Sequence, residues 1–264
     1  MAHIEGPLHA EAFGFPEAPP MVFVHPNPMD SSGWLYQTAH FSTWFRCVAV
    51  DLPGYGRSPR AGEGLTMVDL ADACWEAVDA YANGRPAVLV GCSVGGAVVQ
   101  HMYHRQPDRT DSVVMSGCGW RETKDFVPRR LAAYQARGLA YRADYALECF
   151  GRSFRATPLA TWLANMWMER NGTADLDSIV RMFAALGEPD PEWLACELGV
   201  PVLVMSGSED FTNGPARALA ERIPDAEFVE LTGAGHACQL EQPWAFDAEV
   251  LRFLRANGHV GLPG

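Results

Sequence analysis

The sequence of 264 residues has no long hydrophobic run, and near its start no basic segment leads into an apolar one. A helix that spans a bilayer needs about 18 or more consecutive apolar residues, and a secretory signal needs a basic region followed by an apolar region. We therefore expect neither a membrane span nor a signal peptide, and a cytoplasmic protein.

Cysteine pairs with the spacing of metal or redox sites are also missing. The seven cysteines are scattered along the chain, mostly within apolar segments, and none forms a C-x-x-C motif. This pattern indicates buried, reduced thiols rather than a disulfide framework or a zinc site.

Positive charge is scarce relative to negative charge. The chain has 20 Lys and Arg against 32 Asp and Glu, a formal net charge of −12. Nucleic acids and anionic membranes repel an acidic surface, so we expect neither as a partner. The hydrophobic fraction of 48% and the charged fraction of 20% are ordinary for a folded globular protein.

Strand and helix patterns alternate along most of the chain, which predicts an α/β fold with a mainly parallel sheet and helices on both faces. Leu65–Tyr81 has the clearest helix pattern, since Thr66 and Asp69 have the spacing of a capping box. Short apolar runs predict buried strands at 21–25, 46–51, 86–91, 111–116, 201–206 and 227–231.

The strand pattern stops between Trp120 and about Gly187, where helical segments rich in aromatic residues and methionine replace it. An insertion of this length within an α/β alternation predicts a helical cap over the ends of the strands. We therefore predict a core domain formed by residues 1–119 and 188–264, with the cap at 120–187.

Ser93 lies between an apolar strand and an apolar helix, in the segment Val-Gly-Cys-Ser-Val-Gly-Gly. A serine on a sharp turn from strand to helix presents its hydroxyl above the edge of the sheet. Gly91 and Gly95 leave room for so tight a turn. The pattern predicts a nucleophile.

A serine hydroxyl is a weak nucleophile at neutral pH and needs a base. His236 lies in a glycine-rich loop between the last predicted strand and the final helix, where it can reach Ser93. The other histidines occupy less suitable places, in helices, at the end of a strand or near the termini: His3, His9, His25, His40, His101, His104 and His259.

The acid that orients such a histidine is expected after the preceding strand. Glu209 and Asp210 both lie there, and we favour Asp210 because it lies past the turn, where the chain swings toward His236. Glu122 and Asp125, after an earlier strand, are the alternatives.

Several motifs of this chain resemble those of the α/β-hydrolase superfamily, over nearly the whole sequence: Asp51–Ser58, Gly91–Gly95, Gly207–Asp210 and Gly233–His236. The resemblance implies an α/β-hydrolase fold with the cap inserted after the sixth core strand. It also implies a triad with the chain order Ser93, Asp210, His236.

In that superfamily the segment that corresponds to His25–Asp30 supplies half of the oxyanion hole. Pro26 departs from the usual His-Gly and has no N–H, so the backbone N–H groups of Asn27 and Val94 are the expected donors. His25 is expected to brace this loop. His-Pro-Asn-Pro also resembles a motif of haloalkane dehalogenases, but these enzymes and epoxide hydrolases need an aspartate in place of Ser93.

We therefore expect a serine hydrolase that cleaves a carboxylic ester, a lactone or a related carbonyl compound through an acyl-enzyme, without metal or organic cofactor. The cap favours a small or medium-sized apolar, including aromatic, substrate, with Trp34, Trp120, Trp162 and Met166 as expected pocket residues. Two alternatives stay open. One is a hydrolase of carbon–carbon bonds in β-diketones or ring-cleavage products, and the other is a receptor-like ligand-binding protein with little or no turnover.

Overall fold

The structure is a computed structural model and describes residues 3–119, 126–170, 172, 174–188, 194 and 196–261. Its centre is a seven-stranded sheet with the order β1-β3-β2-β4-β5-β6-β7. The strands are β1 (Ala10–Phe13), β2 (Pro20–Val24), β3 (Arg46–Val50), β4 (Ala87–Cys92), β5 (Thr110–Ser116), β6 (Val202–Gly207) and β7 (Glu227–Leu231).

All neighbouring strands are parallel except β1, which pairs antiparallel with β3 at one edge. This arrangement confirms the predicted fold class. The helices are α1 (Leu35–Phe41), α2 (Met67–Ala82), α3 (Val94–Arg105), α4 (Phe126–Arg137), α5 (Tyr141–Glu148), α6 (Arg152–Arg155), α7 (Pro158–Arg170), α8 (Leu176–Gly187), α9 (Asn213–Ala220), α10 (Cys238–Glu241) and α11 (Pro243–Ala256).

The strands bury both faces because alternate side chains point to opposite sides of the sheet. In β4, Leu89 joins one apolar cluster, which also contains side chains of α2 and α3. Val88 and Val90 join a second cluster, which contains side chains of α1 and α11. Two separate cores therefore hold the sheet in place.

Helices α4 to α8 lie between β5 and β6, and we call residues 126–187 the helical insertion. It follows the fifth strand in chain order, whereas the resemblance implied the sixth. The difference arises before β2, where the described part of the chain has a single strand, β1. Its aromatic side chains pack mainly against one another; Tyr134, for example, meets Tyr141 and Phe183 at ring-centroid distances of 5.0 and 5.8 Å.

Helix α2 begins with the predicted capping box. The Thr66 hydroxyl accepts the backbone N–H of Asp69 at 3.1 Å, and the Asp69 carboxylate accepts the N–H of Thr66 at 2.8 Å. Among the described residues, no helix is long and apolar enough to cross a membrane.

Candidate functional site

The turn that carries Ser93 is strained. Ser93 lies between β4 and α3 with φ 56° and ψ −123°, and its N–H donates to the carbonyl oxygen of Ser116 at 2.8 Å. A Cβ at Gly91 would overlap the carbonyl oxygen of Gly95, and a Cβ at Gly95 would overlap that of Val24. A non-glycine residue at positive φ is costly, so this close packing holds Ser93 at the edge of the sheet.

His236 and Asp210 form a buried pair. His236 Nδ1 lies 2.9 Å from Asp210 Oδ1, and both side chains are almost completely buried. Burial alone would raise the pKa of Asp210, but the neighbouring His236 and the N–H of Thr212 hold it below its ordinary value. Asp210 is therefore an ionised acceptor that keeps the proton of the imidazole on Nδ1.

The other nitrogen of the ring, His236 Nε2, has no hydrogen-bond partner within the described part of the chain. The ring lies beside the ends of β4 and β5, since a Cβ at Gly117 would come within 2.9 Å of Nδ1 and Cys92 Sγ is 3.9 Å from the carbonyl oxygen of His236. Cys92 directly precedes Ser93. The structure thus brings the loops of all three predicted residues to one edge of the sheet.

The neighbouring acids differ from Asp210 in their contacts. The Glu209 carboxylate accepts the backbone N–H of Arg152 at 2.6 Å. Glu122 and Asp125 lie outside the described residues. Among the described carboxylates, Asp210 is the one in hydrogen-bond contact with His236.

Asn27 is held by two tyrosines. Its side-chain oxygen accepts hydrogen bonds from the hydroxyl of Tyr55 and, at 3.1 Å, from that of Tyr134. Its backbone N–H and that of Val94 form no hydrogen bond within the described residues. Both N–H groups are therefore unpaired among the described residues, and their role as oxyanion donors stays a prediction.

His25 and Asp51 fix the loop that contains Asn27. The N–H of Leu52 donates to His25 Nε2 at 2.9 Å, so the ring carries its proton on Nδ1 and donates it to the carbonyl oxygen of Pro26 at 3.0 Å. Burial lowers the pKa of His25, which keeps it neutral. Asp51 Oδ1 accepts the N–H of Ser31 at 2.9 Å. His25 thus has the structural contacts that the sequence predicted.

The predicted pocket residues lie in different surroundings. Trp34 is fully buried between Phe23 and Phe246, at 5.4 and 6.2 Å between ring centroids, in the core that contains α1 and α11. We therefore correct its assignment from pocket to core. Trp162 is 58% exposed on α7.

Met166 is partly buried, and its side chain packs against the larger of the two cores. Trp120 lies outside the described residues. Of the four predicted pocket residues, Met166 is the one that we keep as a pocket residue in the proposal below.

Sequence reasoning missed an aromatic stack on the histidine. Phe211 stacks on His236 with 4.4 Å between ring centroids, and Phe126 of α4 stacks on Phe211 at 5.7 Å. The available signal was the position of Phe211 directly after Asp210. The stack extends from the imidazole into the helical insertion.

The cysteines near the site are unreactive. All seven are free, and all except Cys196 are buried. Burial raises the pKa of the Cys92 thiol well above its ordinary value and that of Cys238 to about 12. Neither forms a thiolate near neutral pH, so neither competes with Ser93 as a nucleophile. The described residues contain no group of three or more side chains that could hold a metal ion.

Known proteins resemble this chain over most of its length. A profile of the alpha/beta hydrolase family matches residues 21–246. A pimeloyl-acyl-carrier-protein methyl ester esterase of Chromobacterium violaceum is 29% identical over 247 residues, 87% of this chain and 91% of that protein. An uncharacterized carboxylesterase of Bacillus subtilis is 25% identical over 275 residues, 96% of this chain and 84% of that protein.

Among solved structures, the enol-lactonase from Burkholderia xenovorans LB400 has a similar fold. It superimposes with a TM-score of 0.85 and 26% sequence identity, and the match covers 96% of this chain and 99% of that chain.

Proposed function

Because the chain belongs to the alpha/beta hydrolase family, we propose that it is a serine hydrolase that cleaves a small carboxylic ester or lactone. Ser93 is the nucleophile, His236 the general base and Asp210 the residue that orients the imidazole. The esterases and the lactonase that it resembles support this substrate class.

In the first half of the reaction, Ser93 Oγ attacks the carbonyl carbon while His236 Nε2 takes the hydroxyl proton. The backbone N–H groups of Asn27 and Val94 stabilise the resulting oxyanion. The bond to the leaving oxygen then breaks, and the alcohol departs with the proton from Nε2. Ser93 carries the acyl group.

In the second half, a water molecule gives a proton to His236 Nε2 and attacks the acyl carbon. The bond to Ser93 Oγ breaks, the carboxylic acid leaves, and the serine takes back its proton. No cofactor takes part, because the reaction only moves protons and one acyl group.

Residues 120–187 act as a cap over this site in our proposal. The stacking of Phe126 on Phe211, which itself stacks on His236, supports this role, because it links an aromatic side chain of the insertion to the imidazole through one intervening ring. An apolar wall favours a substrate whose acyl or alcohol group is small and either apolar or aromatic. We propose that Met166 is part of this wall. The free, buried cysteines support a reducing compartment, and therefore the cytoplasm.

The observation that carries the proposal is the state of the imidazole. Asp210 holds Nδ1 at 2.9 Å, and Nε2 has no hydrogen-bond partner among the described residues at the edge where β4 ends. An imidazole that is oriented through Nδ1 and has an unpaired Nε2 meets two of the requirements of a general base, and this supports the assignment of His236 as the base for Ser93.

The test is hydrolysis of a panel of small esters, lactones and β-diketones, with product analysis. We expect turnover of an ester to an acid and an alcohol, or of a lactone to a single hydroxy acid. Ser93→Ala should abolish it, whereas the matched control Ser42→Ala, which changes a serine at the end of α1, should retain it.

A ketone and an acid from a diketone would replace this proposal with carbon–carbon bond hydrolysis. Binding without turnover of any compound in the panel would favour the receptor-like alternative.

A further inference from the structure

The segment from the end of α5 to the first residue of α6, residues 149–152, lies against the loop of His236. The carbonyl oxygen of Cys149 accepts the N–H of Ala237 at 3.0 Å. A Cβ at Gly235 would overlap the backbone nitrogen of Gly151. The helical insertion therefore contacts the backbone on both sides of the histidine.

Glu241 of α10 links these two segments. Its Oε1 accepts the N–H of Gly235 at 2.9 Å, and its Oε2 accepts the N–H of Gly151 at 2.9 Å. Gly235 directly precedes His236. One carboxylate thus holds both the backbone before the imidazole and the connection between α5 and α6.

Glu209 provides a useful comparison on the other catalytic loop. Its carboxylate accepts the N–H of Arg152, in the same segment of the insertion, but within the described part of the chain no hydrogen bond or ion pair joins its side chain to the loop of His236. The side chains of both acids therefore bind the insertion, and of these two side chains that of Glu241 also binds the backbone next to the histidine.

We propose that Glu241 is a positioning residue for His236, which ties the orientation of the imidazole to the docking of the helical insertion. The inference rests on the function proposed above, because it assigns His236 as the general base. Glu241 contacts no reacting atom, and its effect reaches the reaction through the backbone of Gly235.

The buried surroundings of Glu241 disfavour the ionised form of its carboxyl. Burial raises the pKa of the carboxyl to about 7, although the N–H groups of Gly151 and Gly235 act in the opposite direction. Asp210 raises the pKa further and His236 lowers it, so both lie within electrostatic reach. A carboxyl that is buried despite this unfavourable electrostatic effect fits a role in positioning the backbone next to His236.

The first test observes the histidine directly, by the far-downfield NMR signal of the proton between His236 Nδ1 and Asp210. Asp210→Asn identifies this signal by abolishing it. We expect Glu241→Gln to shift or broaden it, because the amide NH2 of Gln opposes one of the two backbone N–H donors. Glu241→Asp keeps the charge but is too short to bind both donors, so it should not restore the signal. The matched control Glu209→Gln should leave it unchanged.

The second test is kinetic. Glu241→Gln should lower kcat by about 10-fold and change KM by less than about twofold, because the loss is in orientation and not in substrate binding. In the Asp210→Asn protein, Glu241→Gln should lower kcat by a much smaller factor than it does in the native protein, since both substitutions act through His236. Thermal unfolding of each variant checks that it is folded.

An unchanged proton signal in folded Glu241→Gln would overturn the proposal, as would a loss confined to KM or a fully additive loss with Asp210→Asn. The NMR test does not depend on turnover. A native protein that shows the signal but hydrolyses no compound would refute the proposed function, and the response of the signal to Glu241→Gln would still decide the positioning role. If Glu241→Gln does not fold, the signal of Glu241→Asp decides in the same way.

Discussion

At the scale of single residues, the chemistry depends on which hydrogen-bonding atoms are occupied. His236 Nδ1 and the side-chain oxygen of Asn27 have partners, whereas His236 Nε2 and the side-chain nitrogen of Asn27 have none among the described residues. A buried polar atom without a partner is costly, so it marks a place where a ligand gains binding energy.

Replacement of Asp210 by Asn tests the role of this carboxylate. The amide removes the negative charge that fixes the Nδ1–H tautomer, so we expect kcat to fall by about 10⁴-fold, with little change in KM. Steady-state kinetics on the best ester measure the effect. Glu209→Gln, one residue earlier, is the control and should remain within about threefold of the native protein. Equal losses in both variants would contradict the assignment.

Sequence reasoning located the residues whose place follows from the order of the strands, and their catalytic roles stay part of the proposal. Ser93, Asp210 and His236 follow β4, β6 and β7, and parallel strands end at the same edge of the sheet. It failed for Trp34, because an aromatic residue after a strand suits a core and a pocket equally well. It also missed Glu241, because its partners are backbone N–H groups far away in the sequence.

At the scale of secondary-structure elements, the turn between β4 and α3 depends on glycines, because a side chain at Gly91 or Gly95 would overlap the neighbouring backbone. Gly95 lies so close to the end of β2 that a Cβ would overlap the carbonyl oxygen of Val24. The turn is therefore built by close backbone packing, and the position of Ser93 follows from it.

Gly95→Ala should lower the free energy of unfolding by about 3 kcal/mol or more, because the backbone has no way to avoid the added methyl group. The control is Gly214→Ala in α9, where a Cβ meets no atom within 4 Å. This change should be neutral or stabilise the protein by up to about 1 kcal/mol. Urea unfolding measures both, and equal stability of the two variants would contradict the packing argument.

Removal of the capping box tests an element away from the catalytic loops. Thr66→Ala deprives the N–H of Asp69 of its acceptor, so the free energy of unfolding should fall by about 1 kcal/mol. The value of kcat/KM should not change. A loss of activity without a loss of stability would show that α2 contributes to the site in a way that the structure does not explain.

Six of the seven strands were predictable to within one residue at each end, most of them because central parallel strands are continuous apolar runs. The strand β1 was missed. It has four residues, lies at an edge, and only Ala10 in it is buried, so it has neither a continuous apolar run nor a clear alternation. The paired contacts between the insertion and the catalytic loops join distant segments, and no local pattern indicates them.

At the scale of the whole molecule, the buried carboxyl of Glu241 makes stability depend on pH. Its pKa in the folded protein is about 7, above the ordinary value of 4.5. The folded state therefore holds this proton more tightly than the unfolded state. The resulting stabilisation is complete below about pH 4.5 and is lost as pH rises through 7.

The native protein should accordingly lose up to about 3 kcal/mol of stability, relative to Glu241→Gln, between pH 4.5 and pH 8. Urea unfolding of both proteins across this range measures the difference, and the contributions of groups distant from Glu241 cancel. A difference that grows in favour of the native protein as pH rises would contradict the raised pKa.

The central claim is that the fold activates Ser93 as a nucleophile. The most direct test is to treat the native protein and Ser93→Ala with a fluorophosphonate and to compare their intact masses, because only an activated serine reacts readily. We predict one adduct on the native protein and none on the variant. An unlabelled native protein that is folded, or equal labelling of both proteins, would contradict the account.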